Sequence, residues 1–221
     1  MCHIYYELMD ELALNPVYEN IIDDILNQKY SISNQFFTAE ETKALREYAI
    51  AQNTQVDFHE AAIGNQTNEQ IVKSIRGDKI RWIDENNQNE VEQIFFNKVN
   101  DFIQYLNRTC YMGIEESEFH YAIYPEGTFY QRHVDAFKND DRRTLSMVFY
   151  LNDEDWKDEF GGQLAMYLPK EDGTEETLEV MPVAGRLAIF DSKTIPHEVK
   201  PVNKPRYSIT GWLKTRSKTG F

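Results

Sequence analysis

Phe119-His120-Tyr121-Ala122-Ile123-Tyr124 is the stretch at which the chain changes its period. Upstream, apolar residues recur at helical spacing. From about Glu118 they alternate, so that His120, Ala122 and Tyr124 share one side of an extended segment. The same period of two runs through Arg143 to Leu151, Gln163 to Leu168, Leu178 to Met181, Arg186 to Phe190, Glu198 to Val202 and Tyr207 to Leu213. Turn formers separate these runs: Pro125-Glu126-Gly127, Gly161-Gly162, Asp172-Gly173, Ala184-Gly185 and Asn203-Lys204-Pro205. Short strands at this spacing, following helices, predict an α+β chain that is mainly β. The expected architecture is a β-sandwich or jelly roll buttressed by N-terminal helices.

Working back from that stretch, Asn15-Pro16 reads as an N-cap followed by proline at the first helical position, with Ile21, Ile22, Ile25 and Leu26 spaced for a helix. Thr38-Ala39-Glu40-Glu41 is a capping box opening a second helix through Leu45, Tyr48 and Ala49. Asn89 to Arg108 carries a wide apolar face built from Val91, Ile94, Phe95, Val99, Phe102, Ile103 and Leu106. Between the second and third helices, His59 to Ser74 is polar and contains Gly64, the pattern of a mobile loop. Lys79 to Ile83 alternates as a strand. Asp153 to Asp158 reads as a solvated acidic loop. A length of 221 residues suits one domain. About 1–115 would form the helical buttress and about 116–216 the jelly-roll core.

Composition narrows the class. The chain is 41% hydrophobic and carries 13 Tyr and 13 Phe, enough for a core. No apolar run approaches the ~18 residues of a membrane helix, and Met1 to Glu7 lacks the basic and apolar regions of a secretory signal, so a soluble protein is expected. Two cysteines, Cys2 and Cys110, make no disulfide framework, which points to a reducing cytoplasm. A net charge of -14 opposes nucleic acid and anionic membrane surfaces. A neutral or basic protein partner, or a small molecule in a pocket, fits better.

Three places can carry chemistry. In His133-Val134-Asp135 an extended backbone points the imidazole and the carboxylate to one side. With one more nitrogen such a pair makes the two-histidine, one-carboxylate face suited to non-haem Fe(II). The plainer alternative is a surface histidine bonded to an aspartate in a turn. His197 is the candidate third ligand, with a loop-capping histidine as its alternative. Arg206 begins Arg206-Tyr207-Ser208-Ile209-Thr210-Gly211-Trp212, where Arg206, Ser208, Thr210 and Trp212 share a face. An inward arginine needs an anion, and a dicarboxylate that also chelates iron would supply one. An arginine at a strand edge facing water is the alternative. His3, His59 and His120 are read as satisfied core or surface residues. No Ser/His/Asp set, zinc spacing or glycine-rich phosphate loop is present.

Six blocks in order give a family likeness: Ile75-Arg76-Gly77-Asp78-Lys79-Ile80-Arg81-Trp82-Ile83, Tyr124-Pro125 through Tyr130-Gln131-Arg132-His133-Val134-Asp135, Tyr150-Leu151-Asn152, Gly161-Gly162-Gln163-Leu164, Pro196-His197-Glu198-Val199, and Arg206 to Trp212. This pattern resembles the prolyl 4-hydroxylases of the 2-oxoglutarate- and Fe(II)-dependent dioxygenases, in particular the hypoxia-inducible-factor-type enzymes and their bacterial relatives. The Arg-Gly-Asp-Lys-Ile segment points to that branch. The resemblance implies a double-stranded β-helix, Fe(II) held by His133, Asp135 and His197, and O2 as co-reactant, with ascorbate as a reductant. It implies that Arg206 and Tyr150 bind the distal carboxylate of 2-oxoglutarate, and that Tyr124 and Thr210 line its near end. Trp212 would pack beside the iron, Arg143 would face the substrate, and His59 to Ser74 would be a flap over a target peptide. The implied reaction hydroxylates a prolyl residue of a protein, in bacteria a loop of elongation factor Tu, and converts 2-oxoglutarate to succinate and CO2. Two other readings remain: hydroxylation of a free amino acid or small metabolite on the same platform, and a non-catalytic jelly-roll sensor or binding module.

Overall fold

The computed structural model describes residues 14–55, 58–61, 75–86, 89–136, 142–170 and 172–216. Most of the expected flap, 62–74, lies outside them. The elements run α1 (Pro16–Gln28), β1 (Tyr30–Ser33), α2 (Ala39–Gln55), β2 (His59–Glu60), β3 (Lys79–Trp82), α3 (Glu90–Cys110), β4 (Ile114–Tyr124), β5 (Tyr130–His133), β6 (Arg143–Tyr150), β7 (Leu164–Pro169), β8 (Glu175–Val180), β9 (Leu187–Asp191), β10 (His197–Val199) and β11 (Arg206–Thr215).

The helix starts are set by short polar side chains. Asn15 Oδ1 accepts from the Val17 and Tyr18 amides at 3.0 and 3.4 Å, covering donors that the first turn leaves open. The Thr38 hydroxyl accepts from the Glu41 amide at 3.2 Å, and the Glu41 carboxylate accepts from the Thr38 amide at 2.7 Å. Asn89 and Glu92 form a second reciprocal cap at the start of α3.

The strands form two antiparallel sheets, a large one in the order β1-β9-β6-β11-β4-β3-β2 and a small one in the order β5-β10-β7-β8. Period-two alternation splits the large sheet cleanly. Phe119 and Tyr121 of β4, Leu145, Met147 and Phe149 of β6, and Ile209 and Leu213 of β11 pack with Phe95, Val99 and Phe102 of α3. The alternate positions, among them Ala122, Tyr124, Val148 and Tyr150, face the small sheet and pack with Leu164, Met166 and Val199. One face of the large sheet thus rests on helices, and the other is left for a cavity between the sheets. None of the described helices is long and apolar enough to cross a membrane.

Several expectations shift in detail. β1 was not foreseen, and it pairs with β9 from Tyr30↔Phe190 to Ser33↔Leu187. His59 and Glu60, read as loop, form a two-residue strand against Ile80 and Lys79. The large sheet therefore takes three strands from the first 115 residues. The extended run expected over His133 to Asp135 lies earlier, at Tyr130–His133, and Asp135 follows in a bend. His197 is itself in β10, not ahead of it.

Candidate active site

His133 ends β5 and His197 opens β10, and the two are register partners across that strand pair. Their rings lie 4.3 Å apart at the centroids. Each ring is oriented the same way, by the carbonyl two residues before it: Nδ1 of His133 lies 2.8 Å from the Gln131 oxygen, and Nδ1 of His197 lies 3.1 Å from the Ile195 oxygen. A carbonyl can only accept, so Nδ1 carries the proton and Nε2 presents its lone pair to the cavity. Tyr130 stacks on His133 at 3.7 Å and Phe190 meets His197 edge-on at 4.7 Å, which limits rotation of both rings.

Asp135 completes the cluster. Its oxygens lie 3.4 Å from His133 Nε2 and 3.6 Å from His197 Nε2. The Ser146 hydroxyl donates to Asp135 Oδ2 at 2.6 Å and lies 2.8 Å from the Ser192 hydroxyl, while Arg143 Nη1 donates to the Asp135 carbonyl at 3.2 Å. Burial pushes the Asp135 carboxyl up, but His197, His133 and the Ser146 hydroxyl outweigh it and hold the group well below the usual carboxylate range. Burial lowers the His197 imidazole to about 4, so it is neutral at physiological pH. Two imidazole lone pairs and a carboxylate, all within 4.8 Å of one another, repel in the absence of a cation and together fit a divalent ion with open positions.

Deeper in the cavity is Arg206, 1% exposed at the start of β11. Its guanidinium carbon lies 5.0 Å from the ring centres of both Tyr124 and Tyr150. Nη1 reaches the Ser208 hydroxyl at a long 3.5 Å, whereas Arg206 Nε and the Tyr150 hydroxyl have no hydrogen-bond partner among the described residues. Gly162 makes the space for this side chain. Its φ is +73°, and a Cβ there would fall 2.9 Å from Arg206 Cδ. A buried cation and a buried hydroxyl left unanswered are costly unless an anion arrives between them, so the end of the pocket has the donor chemistry for a carboxylate. The residues therefore fit both iron and an oxo-dicarboxylate.

Arg143 and Trp212 stand nearer the mouth. The guanidinium lies 3.5 Å over the indole, with Nε and Nη2 donating to Glu118 at 3.0 and 2.7 Å. The cavity of about 580 Å³ brings together His133, Asp135, His197, Arg206, Tyr124, Thr210, Arg143 and Trp212. Tyr150 lies under it, wholly buried. Every expected site residue is thus in or against one cavity.

A profile of the 2OG-Fe(II) oxygenase superfamily matches residues 119–214. The crystal structure of a Pseudomonas putida prolyl-4-hydroxylase superposes with a TM-score of 0.79 and 36% identity, covering 91% of this chain and 100% of that one. The chain belongs to the 2OG-Fe(II) oxygenase superfamily. The oxygenase also superposes at a TM-score of 0.79, with 28% identity, on a Trichoplax adhaerens prolyl hydroxylase in complex with a hypoxia inducible factor oxygen degradation domain peptide, covering 89% of this chain and 88% of that one. It is 34% identical over 145 residues to human Egl nine homolog 1, which takes in 63% of the oxygenase and one third, 33%, of that longer relative. Members of this superfamily work with Fe(II), 2-oxoglutarate and O2, which are what the two halves of the cavity are built to receive.

Three cavity features carry no role in the sequence reading. Ser146 is legible as the one serine in the otherwise apolar and aromatic run Leu145 to Leu151. Arg76 and Asp78 sit in the Arg-Gly-Asp-Lys-Ile block. Arg76 Nε donates to Asp78 Oδ1 at 2.6 Å, and its guanidinium lies 4.7 Å from the centre of the Tyr130 ring that stacks on His133. His120, read as a satisfied core or surface residue, is buried with neither ring nitrogen hydrogen-bonded among the described residues.

Proposed function

We propose that this chain is a single oxygenase domain that hydroxylates a prolyl residue of a protein or peptide and couples this to conversion of 2-oxoglutarate into succinate and CO2. The observation that carries the reading is one cavity holding both the His133/Asp135/His197 cluster and a buried Arg206 with no carboxylate partner among the described residues. Support for a prolyl peptide comes from the prolyl-4-hydroxylase that the chain spans end to end and from the peptide in the Trichoplax complex.

In this reading His133, Asp135 and His197 hold Fe(II). Arg206 takes the distal carboxylate of 2-oxoglutarate through its guanidinium fork, and the Tyr150 hydroxyl adds a donor. Tyr124 and Thr210 line the near end of the cosubstrate. Trp212 and Arg143 form the wall met by the substrate, with Arg143 held in place by Glu118. The chemistry that iron supplies when bound, with 2-oxoglutarate and O2, is insertion of one oxygen atom into a substrate C–H bond. The contribution of the side chains is orientation and a dry wall, made here by Val148, Leu164 and Val199. The exposed free thiol of Cys110 is in keeping with a reducing cytoplasm.

Mass spectrometry of lysate incubated with the enzyme or with His133→Ala tests the reading. One added oxygen on a specific prolyl peptide, seen only with the unmodified enzyme, is the expected result; in a bacterial lysate the elongation factor Tu loop is a first peptide to follow. An added oxygen confined to free amino acids or metabolites would replace it with a small-molecule hydroxylase.

A further inference from the structure

His120 is fixed by register. It lies opposite Thr210 of β11 on one side and Trp82 of β3 on the other, on the face of β4 that looks into the cavity. Four residues along the same strand, Tyr124 pairs with Arg206. At about 3.3 Å per residue His120 is thus ~13 Å from the carboxylate end, toward the mouth. Trp82, 45% exposed and edge-on to the imidazole at 4.8 Å, marks that side as the way in. The Trp212 ring is 5.6 Å from the imidazole on another side, and its indole N–H also has no partner among the described residues.

Burial, reinforced by the positive charges of Arg76 and Arg143, keeps the His120 imidazole far below its ordinary range and so neutral. A neutral imidazole offers one N–H donor and one lone-pair acceptor, and the indole offers one further donor. A carboxylate would leave the imidazole acceptor unmet, and an ammonium would leave the indole donor unmet. An amide, with a carbonyl that accepts on one edge of its trans unit and an N–H that donates on the opposite edge, answers both. Orphaned polar atoms this deep are rare unless a ligand completes them.

We propose that His120 and Trp212 form an amide-recognition subsite that holds the backbone peptide group immediately following the reacting proline. The assignment rests on the prolyl-peptide reading above. Proline's own nitrogen carries no hydrogen in a chain, so the amide with both groups is the one made by its carbonyl and the next residue. Trp82 covers the imidazole in the absence of peptide and turns aside as the chain enters. His120 is then a specificity-determining residue that discriminates a peptide from a free amino acid, whose carboxylate presents only acceptors.

The test uses the hypoxia inducible factor oxygen degradation domain peptide in two forms, the natural amide and an ester in place of the amide after proline. Binding is measured calorimetrically to zinc-substituted, 2-oxoglutarate-loaded protein, where no turnover occurs, for the unmodified chain, His120→Leu and His120→Gln. The unmodified protein should bind the amide about tenfold more tightly than the ester. His120→Leu should bind both forms alike, at the level of the ester, and His120→Gln, with a donor and an acceptor of its own, should recover part of the preference. An equal preference in the unmodified protein and His120→Leu, or no preference in either, overturns the subsite and leaves the prolyl-peptide reading standing. A loss of 2-oxoglutarate affinity in His120→Leu overturns it by assigning the imidazole to the cosubstrate. Failure of the unmodified protein to bind either form counts against the prolyl-peptide reading and takes the subsite with it.

Discussion

Ser146 Oγ donates to Asp135 Oδ2 at 2.6 Å, so the one carboxylate of the candidate metal cluster is aimed by a hydroxyl from the interior strand β6 and not by its own bend alone. Ser192, 2.8 Å from Ser146, extends that support to the turn that leads into His197. Losing a partner that orients a ligand typically costs ten- to a hundredfold in metal affinity. Ser146→Ala should therefore weaken Fe(II) about tenfold or more, measured by anaerobic titration, while leaving secondary structure unchanged. Unaltered iron affinity would show that the bend fixes Asp135 unaided.

Arg206→Ala should separate the two halves of the site. Truncating a buried charge that takes up a carboxylate costs about 2 kcal/mol or more, roughly thirtyfold in affinity. We expect that loss for 2-oxoglutarate with Fe(II) binding little changed, read as a charge-transfer band that needs far more 2-oxoglutarate to saturate. Equal weakening of both ligands would contradict the assignment.

Gly162→Val should damage the same subsite without touching a polar group. The residue has φ +73°, and a Cβ would fall 2.8 Å from Val202 Cγ1 and 2.9 Å from Arg206 Cδ. Strain and overpacking of this kind cost about 1–3 kcal/mol. The expected outcome is a lowered melting temperature together with weaker 2-oxoglutarate binding. A variant of unchanged stability would mean that the turn relaxes freely.

His120→Leu should stabilise the ligand-free protein, because it removes two buried polar atoms that have no hydrogen-bond partner among the described residues. Such atoms cost about 1–3 kcal/mol, and for a chain of this size each kcal/mol moves the melting temperature by about 2–4 °C. The pH dependence has a definite sign. The imidazole of the folded state lies far below its ordinary 6.5. As pH falls through the unfolded value, the unfolded chain takes a proton that the folded one refuses, and stability drops. The variant should show a flatter acid limb between neutrality and the low folded value. A parallel acid limb would mean that the ring is protonated in the fold.

Most of this architecture was legible because its strands obey a strict period. Arg206, Ser208, Thr210 and Trp212 could be put on one face of β11 from spacing alone, and all four lie on the cavity side. β1 escaped because Tyr30-Ser31-Ile32-Ser33 is too short to establish a period, and its partner β9 lies far along the chain. β5 was misplaced by three residues because Tyr130-Gln131-Arg132-His133 has no apolar alternation to mark its ends, being an edge strand of the small sheet. The His133, Asp135 and His197 cluster and the buried Arg206 were readable in the family blocks. That His120 has no hydrogen-bond partner among the described residues was not, since its place depends on register with two strands distant in sequence, Trp82 before it and Thr210 after it.

With Arg206 as the proposed seat of the dicarboxylate, the lifetime of the folded protein would be tied to metabolism. A ligand that binds only the native state deepens its well in proportion to the logarithm of the ligand concentration. A cell rich in 2-oxoglutarate would then keep more of this chain in its native, ligand-bound state. A starved one would leave Arg206 without a carboxylate partner among the described residues and a larger fraction of molecules open to proteases. The abundance of the enzyme, as well as its rate, would then follow the supply of its cosubstrate.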